Sequence, residues 1–412
     1  MKKFAICFCA LLIAGSAFLC RGAAGRVREG VTVGGVAVGG MSYAEAERAV
    51  RAARPPFVLH TPEGDVLPEI CYRDDVARLV RRAKKGQTLV PKVQAVWVDA
   101  EQILEDVCEK CVRTPVDARL TFTAEGFVYT PAREGRWCDH AASLAAALGA
   151  LAEERSECSL VTRPWQPAVT EETLRARTRL LASFSTRFDP SKSARVHNIA
   201  LACARIAGTI LPPGESFSFN AAVGERTRGN GFLDAAVILD GQFVQGTGGG
   251  VCQASTTLMG AAVRAGLRVT ESHAHSLSVG YVPPSQDAMV SSASDLRFVN
   301  PHPFPVYILG HAEKDAVTFE IFGCPDGRRY ALESAVLSYI EPPPAEVVEG
   351  EEGVVRAARR GMRSESYLVV YGRDGREERR TLFRRDRYAP VQGILSRPAP
   401  PQKEGGEGEE NL

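Results

Sequence analysis

The chain has 412 residues, of which 45% are hydrophobic, and its 50 Lys and Arg balance 49 Asp and Glu to a formal net charge of +1. This hydrophobic fraction is ample for ordinary globular cores, and the length allows two or three domains. The near-zero charge argues against a nucleic-acid partner, because such binding depends on an excess of basic side chains.

Residues 1–25 have the composition of an export signal. Lys2 and Lys3 precede an uncharged apolar run, Phe4 to Cys20, and the small residues 22–24 provide a cleavage site. A run of this length could also remain as an N-terminal anchor in the cytoplasmic membrane. We therefore predict an exported protein of the cell envelope, either released or anchored.

Residues 27–165 combine short strands with amphipathic helices. Ser42 and Glu45 form the capping box that begins one helix, residues 117–135 alternate as a hairpin, and residues 139–151 are again amphipathic. No titratable groups cluster in this segment. The pattern predicts an α+β domain for binding or scaffolding rather than chemistry.

Cys108 and Cys111 have the C-x-x-C spacing of redox and metal sites. No second pair or nearby histidine completes a zinc set, and residues 101–112 have the pattern of an amphipathic helix whose apolar face both cysteines would share. We interpret them as structural cysteines. Export permits disulfides, but the spacing leaves their pairing open. No metal and no cofactor are expected.

A mixed α/β domain is predicted over 183–323. It begins with a helix at 193–207, continues with a hairpin that turns at Asp240-Gly241, and ends in strands near 296–300, 305–310 and 316–322. The remaining segments are a linker at 340–353, a small β-rich module at 354–396 with a hairpin turn at 372–375, and a disordered tail at 397–412. The chain as a whole is predicted to be α+β.

The stretch GGGVCQASTTLMGAAVRAG, residues 248–266, carries the chemical signal. Its glycines can adopt positive φ and admit a close backbone approach, and the helical pattern after them puts Cys252 at or near a helix N-terminus. Unpaired amides and the helix dipole favour a thiolate there. One interpretation is an activated nucleophile, and the other is a buried small cysteine after a tight turn.

A cysteine nucleophile needs a base, and His273 and His275 lie on a predicted strand shortly after this helix. The two-residue period of a strand would point both side chains to one face, so that one could approach Cys252 while the other supports it. A metal pair or two ordinary strand residues are the alternatives.

Residues 183–323 resemble the VanW family in five blocks that occur in the family's order. These are NIA (198–200), LPPGESFSFNAAVGERT (211–227), GGGVCQASTTLMGAAVRAGL (248–267), HSLSVGYVPPSQDAMV (275–290) and DLRFVNPHPFPVYI (295–308). The family takes its name from vancomycin-resistance gene clusters. Some of its members are assigned L,D-transpeptidase activity through the cysteine of the GGG-x-C-Q block, which is Cys252 in this chain.

The resemblance implies acyl transfer on peptidoglycan stem peptides through a Cys252 thioester. His275 matches the family motif and is carried over as the base, whereas His273 falls on a looser position and would support it. Asp287 matches the family's acidic position and would orient the imidazole. Asp295 is the rival for that role, or a cap for the next strand's turn.

Further residues of the same blocks are assigned to substrate binding. The amides of Cys252 and Gln253 would stabilise the oxyanion, with help from the Gln253 side chain, and Gly249 and Gly250 would let a peptide strand approach. Asn220 and Arg226 stand in a matching block. Arg226 would clamp a stem-peptide carboxylate, or else pair with Glu215 or Glu225.

Residues 28–155 resemble the peptidoglycan-binding domain found ahead of VanW domains, and the C-terminal hairpin resembles small wall-associated modules that follow them. The expected partners are therefore peptidoglycan stem peptides and, through the N-terminal segment, the cytoplasmic membrane. The alternative function is a non-catalytic peptidoglycan-binding or scaffold protein in which Cys252 is buried. A thiol–disulfide exchanger that uses Cys108 and Cys111 lacks a thioredoxin-like context.

Overall fold

The computed structural model describes residues 25–239 and 242–398. The described residues are α+β, as predicted, and divide into two compact units. The first unit contains residues 25–116 and 133–167, and the second contains residues 117–132 and 168–398. Nearly all of the predicted signal and tail lies outside the described residues. Within those residues, no helix has the length and apolar character needed to cross a membrane.

The first unit consists of short sheets and helices around two apolar clusters. Its helices are α1 (Tyr43–Ala52), α2 (Val76–Arg82), α3 (Ala100–Cys111) and α4 (His140–Ala152). Its strands form four small sheets, in which Thr32–Val33 lies between Val36–Ala37 and Thr88–Leu89, Val58–Thr61 lies between Glu157–Ser159 and Gly64–Val66, Ile70–Asp74 pairs with Val93–Trp97, and Gly135–Cys138 pairs with Thr162–Trp165.

Two predictions for this unit are confirmed. The capping box at α1 is formed, because Glu45 N donates to Ser42 Oγ at 3.3 Å and Ser42 N donates to Glu45 Oε2 at 2.9 Å. Cys108 and Cys111 are both buried on α3, as the amphipathic pattern predicted. Cys108 forms a disulfide with Cys138, so the bond joins α3 to a neighbouring strand and not the two cysteines of the C-x-x-C spacing.

The second unit is centred on a four-stranded antiparallel sheet. Its strands, in spatial order, are Arg179–Arg187, Ala316–Gly323, Val306–Glu313 and Thr209–Leu211. Smaller sheets pair Ser216–Ser218 and Arg268–Glu271 with Arg297–Val299, and Asp234–Leu239 with Gln242–Thr247. The predicted turn of that last hairpin, Asp240-Gly241, lies outside the described residues. The helices are α5 (Glu171–Ala176), α6 (Ser193–Ile206), α7 (Phe219–Val223) and α8 (Val251–Arg264).

The hairpin Arg119–Thr123 and Gly126–Thr130 belongs to the second unit, although the sequence assigned it to the domain at 27–165. Phe122 and Phe127 pack edge-on against Tyr307, with ring centroids 5.0 and 5.2 Å apart. Alternation along a strand predicts which side chains share a face, but not which distant surface that face covers. The sequence therefore predicts the hairpin itself, but not the unit on which it packs.

The segment predicted to be a linker, 340–353, contains a strand. Glu346–Glu349 pairs in parallel with Ile394–Arg397, which also pairs with Gly353–Arg356. Beside them, a three-stranded antiparallel sheet is formed by Arg329–Ile340, Gly361–Tyr371 and Glu377–Tyr388. We call residues 329–397 the C-terminal module. Residues 340–353 have the charged and proline-rich composition of a linker. They nevertheless contain a strand, because Glu346–Glu349 pairs with the last strand, Ile394–Arg397.

Candidate active site

Cys252 is the second residue of α8, and three glycines shape the turn before it. Gly250 is the N-cap with a φ of +107°, and Gly248 has a φ of +87°, both in the left-handed region that favours glycine. A Cβ on Gly249 would lie 2.7 Å from the carbonyl oxygens of Ala235 and Ala236. The close backbone approach at Gly249 is therefore to the chain's own strand Asp234–Leu239, and not to open space for a peptide.

Helix α8 is buried along almost its whole length, and this fixes where the thiol lies. Gly260 sits so close to the central sheet that a Cβ there would be 2.2 Å from the Phe184 ring. At the other end, Cys252 is partly buried, and its Sγ lies 3.5 Å from both the amide and the carbonyl oxygen of Val290. The thiol thus lies at the buried N-terminus of the helix, beside the segment that carries Asp287.

The structure brings Cys252, His275 and Asp287 together. His275 Nδ1 is 2.6 Å from Asp287 Oδ2, and the backbone amide of His275 donates to the same oxygen at 2.8 Å. The imidazole also lies near enough to the Cys252 thiol for each group to shift the pKa of the other. Because Asp287 occupies Nδ1, the remaining ring nitrogen, Nε2, is the one available to sulfur. His275 is 7% exposed and Asp287 is 1% exposed, so the pair is screened from water.

The protonation states of these groups are coupled. Burial opposes a charge on His275, but hydrogen bonds and charges from Asp287 and Cys252 raise its pKa from 6.5 to about 9. Burial likewise opposes the thiolate, but His275, the Val290 backbone and the charge of Arg226 bring the pKa of Cys252 below its usual range. The pKa of Asp287 is also lowered, since His275 and Arg384 outweigh its burial. The arrangement favours the thiolate–imidazolium pair over the neutral thiol and imidazole.

His273 does not share the face of His275, so that prediction is wrong. Its side chain is 43% exposed, and its Nε2 lies 3.1 Å from Glu271 Oε1. The strand ends at Glu271, and beyond it His273 makes only an isolated bridge with Met289. The two-residue period therefore does not extend to His275.

Over the part of the chain that the structure describes, no group of three His, Cys, Asp or Glu could hold a metal ion.

Asp295 does not reach the imidazole. Its Oδ1 accepts hydrogen bonds from the amides of Asn220 and Leu296, each at 2.8 Å, and its Oδ2 accepts one from Ser218 Oγ at 2.5 Å. These bonds hold the start of α7 against the next strand. Of the two candidate carboxylates, Asp287 is therefore the one in contact with His275.

Asn220 and Arg226 form one bonded group near the thiol. Arg226 Nη2 donates to Asn220 Oδ1 at 2.5 Å, and Asn220 Nδ2 donates to the Ser291 carbonyl at 2.9 Å. Burial lowers the pKa of Arg226, while the charges of Cys252 and Asp295 act to raise it. The guanidinium thus adds positive charge beside Cys252. Its bonding partners are Asn220 and Ser291, and not Glu215 or Glu225.

The side chain of Gln253 is committed to packing. Its Nε2 donates to Thr186 Oγ1 at 3.0 Å and to the Arg187 carbonyl at 2.7 Å, while its Oε1 accepts from Arg195 at 2.8 Å. Its amide already donates to the Gly250 carbonyl at 2.8 Å. The expectation that Gln253 stabilises an oxyanion is therefore not supported by its contacts. The Cys252 amide has no acceptor among the described residues, as is usual in the first turn of a helix.

Sequence reasoning missed three residues around the site. Tyr281 lies in one of the family blocks, and its pKa is raised by burial and also by the charge of Cys252. Arg384 and Tyr388 both bond Asp287 Oδ1, at 2.9 and 2.6 Å. No spacing pattern could reveal these two, because they stand about a hundred residues from Asp287 in a strand of ordinary charged composition.

Comparison with known proteins identifies the domain that holds this site. Residues 194–322 match the family described as VanW like protein. The uncharacterized protein YoaR of Bacillus subtilis (strain 168) is 42% identical over 144 residues, which are 34% of this chain and 48% of YoaR. The chain thus spans about half the length of that relative. A solved structure titled IgA1 protease G5 domain covers 17% of this chain and 88% of its own, at 17% identity and a TM-score of 0.13, which carries no argument.

Proposed function

Because residues 194–322 form a VanW-like domain, and VanW-like proteins are related to the cell wall, we propose that this protein is a cysteine-dependent L,D-transpeptidase. Its substrates are peptidoglycan stem peptides, and its nucleophile is Cys252. The observation that carries the proposal is the bonded pair His275 and Asp287 near Cys252 at a helix N-terminus, with a thiol pKa below and an imidazole pKa above the usual range.

The first half-reaction is acylation. The Cys252 thiolate attacks the carbonyl carbon that precedes the terminal D-residue of a tetrapeptide stem, and a tetrahedral oxyanion forms. The carbon–nitrogen bond then breaks, the His275 imidazolium gives its proton to the leaving amine, and a thioester remains on Cys252. His275 is now neutral, with its Nδ1 proton held by Asp287, so that Nε2 can accept a proton.

The second half-reaction resolves the thioester. An amine from a neighbouring stem attacks the same carbonyl carbon and loses a proton to His275 Nε2. The carbon–sulfur bond breaks and returns the thiolate beside the imidazolium, while a new amide links the two stems. The free Cys252 amide at the start of α8 is the donor best placed for both oxyanions, since helix N-termini favour negative charge.

Charged groups around the thiol suit an anionic substrate. Arg226, which is bonded to Asn220, adds positive charge that acts on Cys252. On the side of Tyr281, an open cleft is lined by Arg187, Arg195 and Gln253. A stem peptide carries free carboxylates, which either arginine group would attract. We assign peptidoglycan binding to residues 27–165, and to residues 1–25 we assign export, with the segment either cleaved off or kept as an anchor in the cytoplasmic membrane.

The test is analysis of cross-links with and without the nucleophile. Purified wild-type protein should release the terminal D-residue from tetrapeptide muropeptides and join two stems, and Cys252→Ala should do neither. Cys71→Ala is the matched control, because Cys71 is exposed and unpaired in the first unit. A folded Cys252→Ala protein that forms cross-links at the wild-type rate would contradict the proposal. Inactive wild type with normal muropeptide binding would favour the scaffold alternative.

A further inference from the structure

The residues around His275 and Asp287 have little regular structure of their own. Residues 272–296, which we call the site loop, connect the strands Arg268–Glu271 and Arg297–Val299 and contain only one isolated bridge. One side of the loop is bonded to α8, where Ala288 N donates to Thr256 Oγ1 at 2.9 Å and Ser255 Oγ donates to the Ala288 carbonyl at 2.5 Å. What holds its other side determines how well the base is oriented.

The C-terminal module holds that other side. Five of the hydrogen bonds between the loop and the module, all of 2.7 to 3.0 Å, reach all three strands of the sheet and the residues beside them. They join Ser285 N to Tyr388 OH, Ser285 Oγ to Ser364 Oγ, Gln286 Nε2 to the Leu332 carbonyl, Ala389 N to the Ser276 carbonyl, and Arg359 Nη2 to the Ser278 carbonyl.

The same module bonds the carboxylate that faces the imidazole. Asp287 Oδ2 accepts from His275, whereas Oδ1 accepts from Arg384 Nη2 at 2.9 Å and from Tyr388 OH at 2.6 Å. Arg384 also donates to the Asp287 carbonyl at 2.7 Å and pairs with Asp386 at 2.7 Å. Tyr388 is 1% exposed and the Arg384 side chain is 12% exposed. A buried carboxylate bonded at both oxygens cannot rotate, so Oδ2 stays aimed at Nδ1.

We propose that the C-terminal module is part of the reactive-thiol site, with Arg384 and Tyr388 as positioning residues that fix Asp287 and, through it, His275. The functional unit then extends to residue 397, beyond the end of the family match at 322. The inference rests on the proposed function only for the identity of the reaction. The orientation of the Cys252–His275 pair is a separate property that can be measured on the thiol itself.

The test is the pH profile of iodoacetamide labelling at Cys252, followed by mass spectrometry on the full chain. The charged and titratable groups that face the His275–Asp287 pair are Cys252, Tyr281, Arg384 and Tyr388, with Arg226 beside the thiol. Tyr388→Phe and Arg384→Gln should move the half-maximal labelling to higher pH, because a misoriented Asp287 supports the imidazolium less. At pH 6.5 we expect labelling to slow about tenfold, which corresponds to one pH unit.

Matched controls lie on the same sheet. Tyr371 OH donates to Glu333 at 2.7 Å and Arg385 pairs with Glu365 at 3.0 Å, and neither touches the site loop in the described contacts. Tyr371→Phe and Arg385→Gln should label Cys252 like wild type. Arg384→Lys retains the positive charge but cannot bond Asp287 and Asp386 through two separate nitrogens, as Nη2 and Nε of Arg384 do. It should therefore recover part of the lost labelling rate.

The outcomes separate the two proposals. Wild-type labelling profiles in both Tyr388→Phe and Arg384→Gln would overturn the positioning role, even in a protein that forms cross-links. If the two variants shift the labelling profile but the wild-type protein does not change muropeptides, the positioning role is supported and the transpeptidase is rejected. If Arg384→Gln does not fold, Tyr388→Phe alone decides, since it removes a single hydroxyl group.

Discussion

Replacing His275 with glutamine tests the thiolate–imidazolium pair directly. The change removes the positive charge beside Cys252 and leaves a polar side chain of similar size. In the wild type the pKa of His275 is raised from 6.5 to about 9, which corresponds to about 3 kcal/mol in favour of the imidazolium. Asp287 and Cys252 share this stabilisation, and coupling between two sites is reciprocal, so the thiolate receives at most that amount.

The expected result follows from the sign of each contribution. Without the imidazolium, burial opposes the thiolate with less compensation, and half-maximal labelling of Cys252 should move to higher pH. The thiolate loses part of a stabilisation of about 3 kcal/mol, which corresponds to a factor of about 10 to 100 in the thiolate fraction. Labelling of Cys252 at pH 6.5 should therefore slow on the order of 10- to 100-fold.

The assay is iodoacetamide labelling across this pH range, with each cysteine quantified by mass spectrometry. Cys203 is an internal measure of folding, because burial raises its pKa to about 12 and it should label only in unfolded protein. His273→Gln is the matched control, since His273 is half-exposed and bonded to Glu271. It should label Cys252 like wild type.

Equal labelling rates for wild type and His275→Gln at every pH, with Cys203 protected in both, would refute the reasoning. A large shift in His273→Gln without one in His275→Gln would instead move the base to His273 and contradict the observed contact.

Two further predictions concern stability. Gly249→Ala should destabilise the second unit by about 2 kcal/mol, because its Cβ would meet the carbonyl groups of Ala235 and Ala236. In a thermal melt this corresponds to a loss of about 4–8 °C in Tm. Gly280→Ala is the control and should leave Tm unchanged, since a Cβ there would have nothing within 4 Å. Cys138→Ser should lower the free energy of unfolding of the first unit by about 3 kcal/mol, because it opens a disulfide across 30 residues. Urea unfolding followed by tryptophan fluorescence reports on that unit, which contains all 3 tryptophans, and an unchanged midpoint would contradict the structural role of the bond.

Local patterns in the sequence were sufficient for several elements. The capping residues Ser42 and Glu45, the apolar spacing of residues 101–112 and 193–207, and the turn at 372–375 each determine a conformation through neighbours within a few positions. The same is true of Cys252, whose place at the start of a helix follows from the glycines before it and the helical pattern after it. The family blocks then pointed to His275 and Asp287, which the structure finds in contact.

Three features depended on contacts between distant parts of the chain. Period-two alternation put His273 and His275 on one face, but the strand ends at Glu271, where pairing with the neighbouring strand stops. The hairpin near Phe122 joined the second unit because its aromatic face packs on Tyr307. The strand Glu346–Glu349 formed inside a linker-like composition because the last strand pairs with it.

The sequence by itself determined the nucleophile candidate, its helix and the order of the blocks that carry its partners, since these depend on local backbone preference and on motifs. Only the tertiary structure decided which carboxylate meets His275, what Gln253 and Gly249 do, and that Arg384 and Tyr388 hold Asp287. The physical reason is that a buried charge must be satisfied by whichever polar groups the fold brings within about 3 Å, and the distance along the chain does not limit that choice.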